Sequence, residues 1–276
     1  MKEEKHHYIR TLFFVIVLAI ILIIIYGFYL GNKGLIIKEY NINNSTIPET
    51  FNEFKIAHFA DIYYKDKEDI NFFKDITKKI SSKKVDIVLF SGGLLKKYSL
   101  TEEEETNIIE YLSNIKSKYG KYYISNKKDI KNPLYESIMT QSGFINLNNS
   151  KDVIYSKKNE KITLVGINDY DNLIFLDEAL KEKTYNIVFF PESDYIDVIK
   201  PYNFNLYLSS NSLNGQINTP FIKNYFLDKN SNNYYEPYYK IDNSDFYITS
   251  GIGTRNIDIR LFNKPSVNIY KLKKIL

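Results

Sequence analysis

The feature that most constrains this chain is an uncharged apolar run near its N-terminus. No charged residue occurs between Thr11 and Asn32, and the run from Leu12 to Leu30 consists almost entirely of Leu, Ile, Val, Phe and Tyr. A helix of about 20 such residues crosses a hydrocarbon core of about 30 Å. The run is longer than the apolar region of a secretory signal, and no small-residue cleavage site follows it. The sequence therefore predicts an uncleaved transmembrane anchor over residues 11–31, with a cleaved signal as the alternative.

The basic residues that flank this anchor predict its orientation. They are Lys2, Lys5 and Arg10 before it and Lys33 and Lys38 after it. Positive charge favours the cytoplasmic side, so residues 1–10 are predicted to be a cytoplasmic leader. Residues 35–276 would then form an extracytoplasmic domain of a single-pass protein of the cell membrane. His6 and His7 lie in the leader, where we interpret them as part of a solvated tail and not as a metal pair.

Composition narrows the chemistry that the domain can perform. The 276 residues include 37 Lys and Arg and 33 Asp and Glu, and this near balance argues against a nucleic-acid partner. The chain has no cysteine, which excludes disulfides, cysteine–zinc sites and thiol nucleophiles. It has only three histidines, too few for a metal site that needs several imidazole ligands.

After the anchor, predicted strands alternate with predicted helices. The strands are residues 54–60, 85–90, 121–125, 161–166, 185–190, 205–209, 246–250 and 267–272. The helices are residues 70–80, 101–115, 133–141, 173–183 and 195–200. Thr101 and Glu104 have the spacing of a capping box, so the acidic run 102–105 is read as a helix start and not as a metal cluster. The pattern indicates one α/β domain, in which ligands bind where the carboxyl ends of strands meet loops.

Five loops that follow predicted strands contain polar residues in a recognisable order. They read Ala60-Asp61-Ile62-Tyr63, Ser91-Gly92-Gly93-Leu94, Ser125-Asn126-Lys127-Lys128-Asp129, Phe190-Pro191-Glu192, and Ser209 to Ile217. In order and spacing they resemble the loops of the calcineurin-like metallophosphoesterases, especially the membrane-anchored bacterial branch. Flanking stretches at 118–120, 215–217, 251–254 and 260–265 match as well, so that the likeness runs from about residue 35 to the end.

The resemblance implies a four-layer α/β/β/α sandwich of the metallo-dependent phosphatase type. In that family the five loops read D-x-H, G-D, G-N-H-D, a terminal His, and G-H-x-H. Their side chains hold two divalent metals, which activate water and neutralise phosphate oxygens. The positions in this chain that match the site are Asp61, Tyr63, Gly93, Lys127, Lys128, Asp129, Pro191, Asn211 and Leu213.

In the first two loops, Asp61 alone keeps the family's ligand. Tyr63 stands where the family has its first histidine, and Gly93 replaces the aspartate that bridges the two metals. A pair of closely spaced dications needs anionic and imidazole ligands. The loss of the bridging carboxylate therefore predicts that no metal is bound.

The other three loops are substituted in the same way. Lys127 takes the place of the asparagine ligand and Lys128 that of the histidine that protonates the leaving group, whereas Asp129 keeps an outer carboxylate. The remaining replacements are Pro191 for the fourth-loop histidine and Asn211 and Leu213 for the two histidines of the last loop. Relative to the family, no intact catalytic residue and no metal cofactor is expected.

Two further expectations concern the charges left in this site. His58 and Asp61 differ in parity along a strand, so His58 should point away from the site and serve as a hydrogen-bonded core residue. A buried carboxylate without a counter-charge is costly. We therefore expect Lys127 or Lys128 to pair with Asp61 or Asp129, the alternative being that both lysines point into water.

These substitutions predict a membrane-anchored, catalytically inactive metallophosphoesterase-like protein with a binding or regulatory role. Its partner would be an extracytoplasmic protein or a cell-wall or lipid component. The alternative is a metal-dependent phosphoesterase or phosphodiesterase with residual activity through unconventional ligands, and a third interpretation is a drifted chain without specific activity. The tyrosine-rich stretch 234–239 is either a recognition surface or packing against the domain.

Overall fold

The computed structural model describes residues 2–168, 174–219, 227 and 229–275. It begins with helix α1 (Lys2–Tyr29), so residues 2–10 of the predicted leader and 11–29 of the predicted anchor form one continuous helix. The segment His6–Tyr29 is long and apolar enough to cross a membrane. Side chains from Tyr8 to Ile25 are largely exposed, because only the last turn of the helix contacts the domain.

The described residues of the domain form two six-stranded sheets. The elements of its first half are β1 (Ile36–Asn44), β2 (Lys55–Phe59), α2 (Ile70–Lys83), β3 (Ile87–Phe90), α3 (Glu102–Ser113), β4 (Gly120–Tyr123), α4 (Tyr135–Gln141), β5 (Ile145–Asn146) and β6 (Ser150–Tyr155). Those of its second half are β7 (Lys161–Gly166), α5 (Ile174–Ala179), β8 (Tyr185–Phe190), α6 (Ile196–Ile199), β9 (Leu206–Ser209), β10 (Tyr238–Ile241), β11 (Ser244–Ile248) and β12 (Ser266–Lys274).

The strand order of the first sheet is β1-β12-β2-β3-β4-β5, and that of the second is β10-β11-β9-β8-β7-β6. Most neighbouring strands are parallel; the antiparallel pairs are β12 with β2, β6 with β7, and β10 with β11. Parallel strands bring their carboxyl ends to one edge of a sheet. In both sheets this edge carries the loops whose polar residues stand out in the sequence.

In the described part of the chain, three apolar cores hold the layers together. Alternate residues of a strand face opposite sides of its sheet, so β3 sends Val88 to the core under α2, α3 and α4, and Leu89 to the core between the sheets. In the second sheet, β8 sends Ile187 to the core between the sheets and Val188 to the core under α5 and α6. The result is a four-layer α/β/β/α sandwich, which confirms the predicted fold class.

Most predicted elements occur within a few residues of their expected bounds. The capping box is confirmed, because the Thr101 side chain accepts the N–H of Glu104 while the Glu104 carboxylate accepts that of Thr101. The prediction missed strands β1, β5, β6 and β10. Of the predicted helix 173–183, residue 173 lies outside the described residues, and the helix that follows is shorter than expected, Ile174–Ala179.

The last turn of α1 lies against the loop that precedes β12. Arg260 donates its backbone N–H to the carbonyl oxygen of Gly27 (3.1 Å), and Asn32 Nδ2 donates to the carbonyl oxygen of Asp258 (2.7 Å). The two chain segments approach so closely that a Cβ on Gly31 would overlap the carbonyl oxygen of Arg260. Glycine at this position thus allows the end of the helix to dock on the domain.

Candidate functional site

The five loops predicted from the sequence converge at the carboxyl ends of the central strands. They enclose a cavity of about 180 Å³ whose lining includes Tyr63, Asn126, Lys128, Asn211 and Arg255. A second cavity of about 210 Å³ shares Tyr63, Lys128 and Arg255 with the first. Together they form one cleft, which we call the loop cleft.

Asp61 lies beneath the loop cleft and is buried. Its Oδ2 accepts the backbone N–H of Asn211 (2.9 Å). Burial raises the pKa of the Asp61 carboxyl, and the positive charge of Arg255 opposes this shift, as does the hydrogen bond from Asn211. Asp61 therefore serves as a buried carboxylate that accepts a backbone N–H from the fifth loop.

Tyr63 fills the space beside Asp61 that the resemblance gives to a histidine. Its side chain is buried, and its hydroxyl accepts a hydrogen bond from Arg255 Nη2 (3.3 Å). Burial, followed by the negative charge of Asp61, raises the pKa of the Tyr63 hydroxyl, which therefore stays protonated at neutral pH. A neutral phenol is a poor substitute for an imidazole as a metal ligand.

Arg255 is a site residue that sequence reasoning missed. Its guanidinium donates to both the carbonyl oxygen and Oδ1 of Asn211, and it lies 6.0 Å from the centre of the Tyr63 ring. Its backbone N–H donates to Gln216 Oε1 (2.7 Å). A fixed cation thus stands between the first and fifth loops. The signal that could have found it is its place directly after the loop 251–254, a stretch that matches the family resemblance.

A second arginine, Arg260, lies entirely inside the protein. Its guanidinium donates to the carbonyl oxygens of Gly253 (2.6 Å), Ser250 (2.9 Å) and Asn263 (3.2 Å). Burial lowers the pKa of Arg260 to about 10, and the negative charge of Asp61 opposes that shift. The charge of Arg260 is therefore satisfied by backbone dipoles and by the neighbouring carboxylate.

The second loop leaves no room for the family's bridging aspartate. Gly93 has a φ of +79°, and a Cβ at this position would lie 2.7 Å from Asp61 Oδ1 and 2.8 Å from Asp61 Cα. Backbone hydrogen bonds from Asp61 to Gly92 and from Tyr63 to Gly93 (each 2.8 Å) hold the two loops together. The loops have closed over the space that a bridging carboxylate would need.

The expected lysine pairing is wrong for the described residues. Asp129 is buried and accepts the backbone N–H groups of Gly93 (2.7 Å), Asn126 (3.0 Å) and Leu94 (3.3 Å). Burial raises the pKa of the Asp129 carboxyl to about 7, although these hydrogen bonds oppose the shift. Because backbone donors surround this carboxylate, no lysine is needed to satisfy it.

The two lysines point elsewhere. Lys127 Nζ lies 3.8 Å from Glu192 Oε1, and Lys128 is exposed at the mouth of the loop cleft. Within the described chain, no lysine nitrogen lies within 4.0 Å of Asp61 or Asp129. Asn126, the one amide in this loop, accepts the N–H groups of Lys128 and Asp129 through its Oδ1 and shapes the turn.

The fourth and fifth loops contribute backbone and apolar groups. The carbonyl oxygen of Pro191 accepts the N–H of Ser210 (3.1 Å), and Leu213 is buried. Asn211 and Leu213 both have positive φ values, as do Asp61 and Tyr63. Four non-glycine residues in this conformation are a concentration of backbone strain, and strain of this kind clusters at functional sites.

His58 is a core residue, as predicted. It is fully buried, and its Nε2 lies 2.7 Å from Ser91 Oγ. Burial lowers the pKa of the imidazole to about 3, so His58 is neutral over the physiological range.

The residues present do not fit the two divalent metals that the resemblance implies. Around Asp61 the donors are a protonated phenol and backbone groups, and the cation Arg255 repels a second positive charge. The described part of the chain has no cluster of three or more His, Cys, Asp or Glu side chains that could hold a metal ion. What the loop cleft offers is hydrogen-bond donors and fixed positive charge.

Comparison with known proteins gives two relatives that cover nearly the whole chain. The uncharacterized metallophosphoesterase YkuE of Bacillus subtilis strain 168 is 25% identical over 258 residues, 90% of this chain and 89% of the relative. The uncharacterized metallophosphoesterase YkoQ of the same strain is 22% identical over 281 residues, 94% of this chain and 100% of the relative. These similarities confirm the resemblance to the metallophosphoesterases, whereas no protein-family model matches the chain.

Solved structures resemble the chain at low identity. A dimetal phosphatase from Danio rerio has a TM-score of 0.48 at 9% identity over 73% of this chain and 88% of its own. The NAD nucleotidase of Haemophilus influenzae has a TM-score of 0.47 at 11% identity, and the match covers 72% of this chain but only 45% of the nucleotidase.

Proposed function

Since the chain resembles metallophosphoesterases over 90% or more of its length, we propose that it is a membrane-anchored relative that binds a partner and does not hydrolyse phosphate esters with two metals. One observation supports this proposal above the others: Arg255 donates to Asn211 and Tyr63 in the middle of the converging loops. A guanidinium in that place opposes metal binding and fixes the shape of the cleft.

The lining of the loop cleft favours binding of a negatively charged group. Arg255, Lys127 and Lys128 contribute positive charge, and Glu192 is the acidic residue among them. Walls of one predominant sign concentrate oppositely charged ligands. The partner we propose is an extracytoplasmic protein or a cell-wall or lipid component that presents such a group at the membrane surface.

Helix α1 supports the anchoring part of the proposal. Its apolar segment His6–Tyr29 has 24 residues, and 6% of its most apolar window is buried inside the protein. A hydrophobic surface of this length left open to water is costly, whereas a bilayer would cover it. Extraction at alkaline pH tests the anchoring: the full-length protein should stay in the membrane pellet, and its release would contradict the proposal.

The second candidate is a phosphoesterase with residual activity. Asp61 is retained, and the relatives are named metallophosphoesterases. If this candidate is correct, Asp61 would have to be a ligand despite the hydrogen bond that its Oδ2 accepts from Asn211.

Metal titration and turnover separate the two candidates. Purified full-length protein in detergent would be titrated with Mn²⁺ by calorimetry and assayed with bis(p-nitrophenyl) phosphate. We expect no stoichiometric binding and the same background rate for the parent protein, Asp61→Asn and the control Asp75→Asn, whose carboxylate is exposed on α2. One metal or more per chain, with turnover that Asp61→Asn abolishes and Asp75→Asn retains, would overturn the proposal.

A further inference from the structure

The segment 257–262, which we call the exit loop, lies against the end of α1. Besides the hydrogen bond between Arg260 and Gly27, the side chains of Ile259 and Leu261 pack on the helix: a Cβ on Gly27 would lie 2.8 Å from Ile259 Cγ2 and 2.7 Å from Leu261 Cδ2. Gly27 belongs to the apolar segment His6–Tyr29. The exit loop is therefore held at the level of the last turn of the membrane-spanning segment.

Two apolar side chains of the exit loop are exposed, one at each end of the segment whose middle residues contact the end of α1. Phe262 is 63% exposed and Ile257 is 36% exposed. Phe262 also has a φ of +54°, a conformation that costs free energy for a bulky residue. The domain thus holds a phenylalanine in a strained backbone without burying its ring.

We propose that the exit loop inserts Phe262 and Ile257 into the interfacial layer of the phospholipid bilayer that α1 spans. The inference rests on the proposed anchoring of α1. Aromatic side chains are enriched at this level of a membrane, and Tyr26, Phe28 and Tyr29 of the adjoining helix turn are placed there as well.

A second copy of this chain fits the same region less well. Gly27 and Gly31 have the spacing that lets two membrane helices approach closely. In this chain both glycines are buried, and the exit loop covers the face that they form. The close approach that these glycines allow is already made by the exit loop of the same molecule. The bilayer is therefore the partner that we expect to cover the exposed apolar side chains.

This contact would fix the direction in which the site faces. Arg255 of the loop cleft lies two residues before the exit loop, and a small cavity is lined by Tyr63, Gly253, Asp258 and Asn32. The site and the end of the helix are therefore neighbours. With the exit loop in the interface, the loop cleft lies beside the headgroup layer, where ligands attached to the membrane are concentrated.

The absence of tryptophan from the chain allows a direct test. Phe262→Trp introduces the only tryptophan, and the full-length variant would be reconstituted in phosphatidylcholine–phosphatidylglycerol vesicles with acyl chains brominated near the carbonyl end. The matched control is Tyr155→Trp, at a position that is 58% exposed at the end of strand β6 remote from the loop cleft. Ile257→Trp provides a second position in the exit loop if Phe262→Trp does not fold, as judged by circular dichroism.

We expect the exit-loop variant to emit at shorter wavelength than the control and to lose severalfold more emission in brominated than in unbrominated vesicles. Equal, solvent-like emission and quenching in both variants, with the protein floating with the vesicles, would overturn this inference and leave the anchoring proposal standing. Failure of the protein to float with vesicles would overturn both.

Discussion

Arg255 binds Asn211 twice, through the backbone carbonyl oxygen and through Oδ1 of the same residue. Both hydrogen bonds come from Nη2, and they join the loop after β11 to the loop after β9. The Arg255 side chain also reaches the Tyr63 hydroxyl, so that one cation connects three of the loops that form the loop cleft.

Removing this cation should loosen the site. We expect Arg255→Ala to lower the free energy of unfolding by about 1–3 kcal/mol, the range for a buried hydrogen-bonded group left without its partner. The control is Lys128→Ala, which removes a positive charge from the same cleft at an exposed position. Urea denaturation of both variants measures the difference, and equal stabilities would contradict a connecting role for Arg255.

Restoring the family's carboxylate at position 93 should not restore a metal site. Gly93→Asp places a Cβ 2.7 Å from Asp61 Oδ1, so we expect a marked loss of thermal stability and no Mn²⁺ binding. Gly34→Asp is the matched control, because Gly34 has a similar φ of +82° but a Cβ there would have no atom within 4 Å. A variant at 93 that is as stable as the control and binds metal would show that the loops open more easily than we infer.

The capping box of α3 should contribute measurably to stability. Glu104 accepts hydrogen bonds from Lys97, Thr101 and Tyr64, and the bond from Lys97 is the main reason why the pKa of Glu104 is lowered to about 2. Glu104→Ala should cost roughly 1–2 kcal/mol, as the loss of a helix cap does, whereas Glu103→Ala at a highly exposed position should be near neutral. Urea denaturation of the two variants measures the difference.

The pH dependence of the same helix has a defined sign. The pKa of Glu104 is lower in the folded than in the unfolded chain. Its contribution to the free energy of unfolding is therefore complete above about pH 4.5 and is lost as the pH falls towards 2. Denaturation series at several pH values should show the gap between parent and Glu104→Ala closing in acid. A gap that widens in acid would be incompatible with this charge assignment.

The contribution of Asp129 to stability should depend on pH with the opposite sign. Its carboxyl has an ordinary pKa of 3.8 and a pKa of about 7 in the folded protein, so between these values the folded state binds a proton that the unfolded state has released. The contribution of Asp129 to the free energy of unfolding is complete below about pH 4. It decreases as the pH rises from there to 7, by up to about 1.4 kcal/mol for each pH unit.

The difference between the parent and Asp129→Asn reports this contribution together with the coupling of Asp129 to Asp61, since titrating groups remote from position 129 contribute equally to both proteins. We expect the stability of the parent relative to the variant to decrease from pH 4 to pH 7 and then to level off. A relative stability that increases over this interval would mean that the three backbone N–H groups outweigh burial.

Docking of α1 on the domain should depend on the absence of a side chain at position 31. In Gly31→Ala the new Cβ would overlap the carbonyl oxygen of Arg260, which forces α1 and the exit loop apart, whereas Gly34→Ala meets no atom within 4 Å. We expect faster proteolysis within the exit loop and reduced bromolipid quenching when Gly31→Ala is combined with Phe262→Trp. Unchanged proteolysis in both variants would argue that the docking contributes little.

The central strands and the convergence of their loops could be predicted from the sequence because buried strands are continuous apolar runs. Edge strand β1 was missed because its residues Lys38, Glu39, Asn41, Asn43 and Asn44 break that pattern. Strand β6 is an edge strand of the second sheet, and its side chains are also partly exposed. An edge strand of this kind is stabilised by pairing with its neighbouring strand, β12 for β1 and β7 for β6, and its own composition does not reveal it.

Within the site, sequence reasoning identified Asp61 and its substituted neighbours but chose the wrong cations. Proximity in sequence favoured Lys127 and Lys128, whereas the structure uses Arg255 and Arg260 from a loop almost 200 residues after Asp61. No local spacing encodes a contact of this range. The lysines remain at the surface because leaving an ammonium group in water avoids the cost of desolvation.

The position of β12 has a consequence for how the chain reaches its native state. This last strand is inserted between β1 and β2, with Ile36 opposite Ser266 at one end of the β1 pairing and Asn44 opposite Lys274 at the other. Among the described residues, strand β1 therefore has no neighbouring strand until residues 266–274 have been synthesised. Closure of the first sheet must therefore follow the synthesis of residues 266–274, and nascent chains that stop short of this strand are left with two exposed edges open to aggregation.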